Sequence, residues 1–199
     1  MLKRLHLIAA AGVLASACAT ASGPSAPAAS ATGAVVLTPG VANVLNIAAT
    51  SSWNAEERLL PQQPILALVN NTDPVSNPAG FSMTCNPDNG QITARLGKQP
   101  AARIGQSATY KLKLGKESRP MEGKFAAGKS GDADFVFSLE SVTLRTMAQL
   151  DQFSFDTDQG EAQWAFVRDP AAQVKAKYVA SVKNLNTESA SYLVFCNPK

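Results

Sequence analysis

The chain has 199 residues, is 45% hydrophobic and 17% charged, and carries a formal net charge of +3. That length fits one domain of ordinary size. Two of the 18 basic residues, Lys3 and Arg4, fall in the first segment, so 16 remain against 15 acids, a balance that gives no case for nucleic acid.

Residues 1–17 read as a secretory signal peptide. Lys3 and Arg4 form a short positive region, residues 5–14 are apolar apart from His6, and Ala15-Ser16-Ala17 is a small-residue cleavage site. Cys18 follows directly. Over residues 1–18 the sequence resembles the leader of bacterial lipoproteins, in which a small-residue box precedes a cysteine that is lipidated and becomes the first mature residue. The resemblance implies a lipid on Cys18, a membrane partner through that anchor, and a place in the periplasm on the outer membrane. Ala15 stands where such boxes usually carry Leu. Cleavage at Ala17-Cys18-Ala19 is the alternative, and it exports the protein without the anchor. Residues 19–33 contain only Ala, Ser, Thr, Gly and Pro. Such a composition buries almost nothing, so 18–33 is expected to be a disordered tether and 34–199 a single domain.

The only histidine is His6, and it leaves with the leader. Without it the mature protein has no Ser-His-Asp triad, no Cys-His pair and no histidine metal site. Three cysteines are present. Cys18 is lipidated or removed, which leaves Cys85 and Cys196 as an even pair in an oxidising compartment. The natural reading is one disulfide; two buried free thiols are the competing one.

In chain order, residues 34–37 and 44–48 are expected to be short strands. Ser52 and Trp53 open a helical turn that Pro61 ends. Residues 65–69, ILALV, are a short buried strand. Phe81, Met83 and Cys85, then Ile92, Ala94 and Leu96, alternate with polar residues around Asn86-Pro87-Asp88-Asn89-Gly90, a hairpin. Residues 108–114 alternate Tyr110, Leu112 and Leu114 with Lys111 and Lys113. Residues 133–140 form another strand, and 141–150 a short helix with Leu144, Met147 and Ala148 on one face. Phe153 and Phe155, then Trp164 and Phe166, make a second hairpin across residues 156–160. Asp169 and Pro170 are expected to start an amphipathic C-terminal helix, with Val174, Tyr178, Val182 and Leu185 at helical spacing. Residues 191–196 return as a final strand. The sum is a mainly β domain with an α+β variant open: an antiparallel β-sandwich or small barrel, with one C-terminal amphipathic helix. Trp53 and Trp164 are expected in its core rather than on a sugar-stacking surface.

Residues 123–130, GKFAAGKS, match the phosphate-loop pattern G-x-x-x-x-G-K-[ST]. That loop works only between a buried strand and a helix whose N-terminus faces the phosphates. Here a polar, Pro-containing stretch precedes it, and strand-like GDADFVF with Asp132 and Asp134 follows. No nucleotide is expected; the stretch reads as a Gly-rich basic loop between two strands, with Phe125 reaching back to the sheet. Residues 156–161 only partly match a calcium loop, and turn chemistry explains them as well. No metal and no cofactor is expected, and no catalytic residue stands out. Between Arg95 and Lys129 nine basic residues face two acids. Most are expected to be solvated strand faces. Lys111, Lys113, Lys124 and Lys129 are the candidate anion-binding residues for an envelope polymer.

The expected function is a non-catalytic binding, scaffolding or inhibitor role in the cell envelope, with another envelope protein or an anionic envelope polymer as partner. The plan of leader, lipobox-like Cys, tether and stapled β domain resembles small envelope lipoproteins, some of which inhibit lysozyme-type enzymes. The alternative is a hydrolase of envelope polymers that uses carboxylates such as Asp132, Asp134, Glu140 or Glu161.

Overall fold

In the computed structural model, residues 45–57, 63–72 and 80–196 are described. The expected strand at 34–37, the leader, Cys18 and the tether lie outside them.

Among the described residues eleven strands occur in chain order: β1 (Leu45–Asn46), β2 (Ser51–Glu56), β3 (Ile65–Asn70), β4 (Phe81–Asn86), β5 (Gln91–Gln99), β6 (Ser107–Leu114), β7 (Glu117–Ala127), β8 (Ala133–Leu139), β9 (Gln152–Asp156), β10 (Ala162–Val167) and β11 (Tyr178–Ser181). Helix α1 (Ser141–Gln149) follows β8, and helix α2 (Leu185–Phe195) follows β11. The strands form one sheet in the order β1-β11-β10-β9-β6-β7-β8-β5-β4-β3-β2. All pairings are antiparallel except β1 with β11 and β10 with β11.

β1 and β2 are the two outermost strands of that order, yet only residues 47–50 separate them in the chain. The sheet must therefore curl until its ends meet. Polar bonds, not a ladder, fasten the seam: the Trp53 N–H donates to Lys183 O at 3.0 Å, the Ser181 N–H to Ser51 Oγ at 2.9 Å, and Trp53 Nε1 to Ser181 O at 2.9 Å. The result is a curled single sheet, a half-barrel. It is mainly β and carries a C-terminal helix, as the pattern of alternating strands predicts, but it is one continuous sheet rather than two stacked ones.

The period-two runs supply the lining. Phe81 and Met83, Ala94 and Leu96, Tyr110 and Leu112, Phe135 and Phe137, Phe153 and Phe155, and Trp164 and Phe166 all enter one core together with Trp53. Its rings interlock, with Tyr110 stacked on Phe135 at 4.3 Å and Phe153 on Phe166 at 4.6 Å. Leu144 and Met147 of α1, and Leu185 and Tyr192 of α2, join the same core. The outer side of β10 and β11 is covered as well: Ala165, Val167 and Val179 pack there with Val174 and Ala176. The Cys85–Cys196 disulfide ties β4 to the end of α2 across 111 residues. Among the described residues no helix is long and apolar enough to cross a membrane.

Three local expectations are corrected. Residues 51–56 are strand β2, not a helical turn. The stretch from Asp169 is turn and connection, and Tyr178–Ser181 is the parallel strand β11, not part of a helix. The C-terminal helix is Leu185–Phe195, so residues 191–195 are helical rather than a final strand.

Candidate functional site

On the face turned away from the core, β2, β3, β4, β5, the end of β7, the turn that follows it and the start of β8 enclose a groove of about 520 Å³. Its apolar floor is Ile65, Ala67 and Val69, every second residue of β3. Charge surrounds that floor: Arg95, Lys98 and Lys129 on one count, Glu56, Asp132 and Asp134 on the other.

The groove is shaped by a bulge. Leu96 pairs with Phe135 and Gln99 with Ala133, so Gly97 and Lys98 together stand opposite the single residue Asp134. Lys98 adopts φ +62°, a left-handed conformation that costs a side-chain-bearing residue about 1–2 kcal/mol. Four donors hold it there. Gly97 O accepts from Trp164 Nε1 at 3.2 Å and Gln99 Nε2 at 3.0 Å. Lys98 O accepts from the Tyr178 hydroxyl at 3.3 Å and Gln163 Nε2 at 3.4 Å. Strain kept in place by its surroundings is a recurrent mark of functional sites, and here it presents Lys98 to the groove.

Asp132 and Asp134 converge on the backbone of Gly128. A Cβ at that position would overlap Asp132 Oδ1 and come to 3.1 Å from Asp134 Oδ1. Asp134 forms an ion pair with Arg95 at 3.7 Å. Burial pushes its carboxyl above the ordinary value; Arg95 opposes that rise and Asp132 adds to it. Among the described residues, none of Lys98, Lys129 and Asp132 forms an ion pair.

GKFAAGKS is accounted for here. Gly123–Ala127 belongs to β7 rather than to a loop, and β8, not a helix, follows the turn. No ring of backbone N–H groups at a helix start is available for phosphates. Each glycine has its own packing reason: a Cβ on Gly123 would collide with the Phe135 ring, and one on Gly128 with Asp132. Phe125 is in the core, as expected. Lys129 and Ser130 line the groove.

The four candidate lysines do not converge. Lys111 and Lys113 lie on the outer face of β6, where Lys113 forms an ion pair with buried Asp156. Lys124 is exposed on β7 opposite Val136, itself opposite Arg95. Lys129 alone of the four reaches the groove. Asp156, the first acid of the calcium-like stretch, also accepts from Ser154 Oγ at 2.9 Å, and Asp158 faces Arg103 at 3.9 Å. Among the described residues no group of three His, Cys, Asp or Glu could hold a metal ion. Trp53 and Trp164 are fully buried, which leaves neither available for stacking on a sugar.

Sequence reasoning singled out Lys129, Asp132 and Asp134 but not Lys98, Arg95 or the β3 floor. The Gly97 interruption of an alternating run was the available signal for the bulge. The chain matches no family model, no curated protein and no solved structure.

Proposed function

We propose that this chain is an exported cell-envelope protein, anchored to the membrane by a lipid on Cys18, that acts as a non-catalytic binding, scaffolding or inhibitor module through the groove beside Lys98. The groove carries this reading: charges of both signs and an apolar floor meet on an otherwise ordinary sheet face, at a bulge that the core holds under strain. The partner is another envelope protein or an anionic envelope polymer.

A photo-crosslinking residue in place of Thr84, on the groove wall, tests it in living cells. Discrete adducts that weaken in a Lys98→Gly, Lys129→Ala double variant support the reading; adducts indifferent to those changes refute it. Cys18→Ala tests the anchor. Release from the membrane fraction into the soluble periplasm is expected, and an unchanged distribution rejects lipidation.

One observation favours a second reading, a carboxylate-dependent hydrolase of envelope polymers. Asp132 and Asp134 share one wall of the groove, and burial raises the Asp134 carboxyl, the condition for a general acid. Soluble fragments released from isolated envelope polymer, and lost in Asp134→Asn, would establish it. No release by the wild-type protein removes it.

A further inference from the structure

The charges of the groove define its ligand more narrowly, and this step rests on the binding reading above. Arg95 and Asp134 largely satisfy one another. Beyond that pair the groove offers Lys98 and Lys129 as cations and Asp132 and Glu56 as anions; Glu56 already accepts from Asn54 Nδ2 at 3.2 Å, and none of Lys98, Lys129 and Asp132 is in an ion pair among the described residues. A purely anionic polymer would meet Lys98 and Lys129, but also the field of Asp132 beside Asp134. A purely cationic one would meet the reverse. Uniform charge of either sign is therefore penalised at one part of the same groove.

We propose that the groove takes a short peptide segment that is dipolar: a carboxylate that pairs with Lys98 and Lys129, an ammonium or guanidinium that pairs with Asp132, and a small apolar side chain on Ile65, Ala67 and Val69. Peptide is the polymer that alternates such groups along one strand. The period-two apolar floor of β3 matches the period of an extended chain laid along it. Lys98 lines the groove from a left-handed conformation that costs backbone energy, which fits selection for contact with a ligand.

The test uses the full-length protein in detergent micelles and three tripeptides with acetylated and amidated ends: Lys-Ala-Asp, Ala-Ala-Asp and Lys-Ala-Ala. Amide NMR shifts are followed at residues 97–98 and 128–134. Lys-Ala-Asp is expected to bind up to about fivefold more tightly than either singly charged peptide, the scale of one partly screened ion pair. Lys98→Gly should lose that preference while its melting temperature stays level or rises, since glycine accepts the left-handed backbone. Asp132→Asn should erase the difference between Lys-Ala-Asp and Ala-Ala-Asp. Equal affinity of the three peptides, or tighter binding of polyphosphate than of Lys-Ala-Asp, overturns the proposal, the latter in favour of an anionic polymer. Crosslinks at position 84 with no peptide-induced shift overturn this inference alone. Neither crosslinks nor shifts overturn it together with the binding reading.

Discussion

Asp134 is pulled two ways. Removal from water favours its neutral form, and the Arg95 guanidinium at 3.7 Å favours its charged form; burial is the larger influence, so its carboxyl holds a proton above the ordinary 3.8. The sign for stability follows. An acid whose value rises on folding binds more protons folded than unfolded, so its contribution falls as pH climbs from 3.8 through the raised folded value. The unfolding free energy of the wild type minus that of Asp134→Asn should decline as pH rises above 3.8. Urea titrations of both proteins across that range measure it, and a difference that grows with pH would show that Arg95 dominates. Nothing in the sequence ranked Asp134 above Asp132, because its environment is assembled from Arg95, Gly97 and Gly128 on other segments. The two glycines of GKFAAGKS show the same limit: the letters suggest phosphate, whereas Phe135 and Asp132 are what exclude a side chain there.

Elements were legible where their partners are near in sequence. β4 with β5 and β9 with β10 are hairpins whose strands and turn lie within about twenty residues, and their alternation predicts them. Two misread elements, β11 and α2, owe their structure to distant partners, whereas β7 pairs with its sequence neighbours β6 and β8 but buries only Phe125, which leaves no apolar alternation to read. Tyr178–Ser181 shows helical spacing with Val174 and Leu185, but parallel pairing to both β1 and β10 holds it extended, with Val179 in the outer cluster and Ala180 in the main core. A strand buried on both faces has no alternation to read. In α2 the buried stripe is Leu185, Ser189, Tyr192 and Cys196, a helical period disguised by a serine, while Val194 is 72% exposed and makes SYLVFC resemble a strand. β2 is the complementary case: its free edge is closed by the seam and by Glu188 of α2, whose Oε2 accepts the Ala55 N–H at 2.9 Å. An open edge strand invites pairing with another chain. Glu188→Ala should cost about 1.5–3 kcal/mol, the range for a bond to a charged acceptor, and Glu188→Gln, which keeps an acceptor oxygen, much less. Denaturant unfolding of both variants reads the difference; equal losses would assign the effect to packing of α2.

At the scale of the molecule, the curl of the sheet and the position of α2 depend on each other. α2 packs on β2 and β3 and against α1, and its Leu185 and Tyr192 enter the same core as the strands. No continuous ladder crosses the seam, so the end of the chain carries part of the task that a closed barrel gives to hydrogen bonds. The Cys85–Cys196 bond secures that end, and the pairing was legible because the expected leader accounts for Cys18 and leaves two cysteines to pair. The groove was not legible at this scale, since its walls come from β2 to β5 and from the end of β7 through the turn into β8, and none is unusual alone. A loop of 111 residues is long, and the chain-entropy account gives its closure about 4–5 kcal/mol, with measured values often smaller. Replacing both Cys85 and Cys196 with Ala should therefore lower the unfolding free energy by about 2–5 kcal/mol. The loss should also be uneven. The amides of α2 should exchange with solvent well before those of β5, β6 and β8, because α2 loses its covalent hold while the central strands keep both neighbours. Urea unfolding with and without reductant, together with hydrogen exchange on the double variant, measures both effects. An unchanged midpoint in reductant would mean that packing alone holds α2 to the sheet, and the seam would then be secured by Trp53, Ser181 and Glu188 without the disulfide.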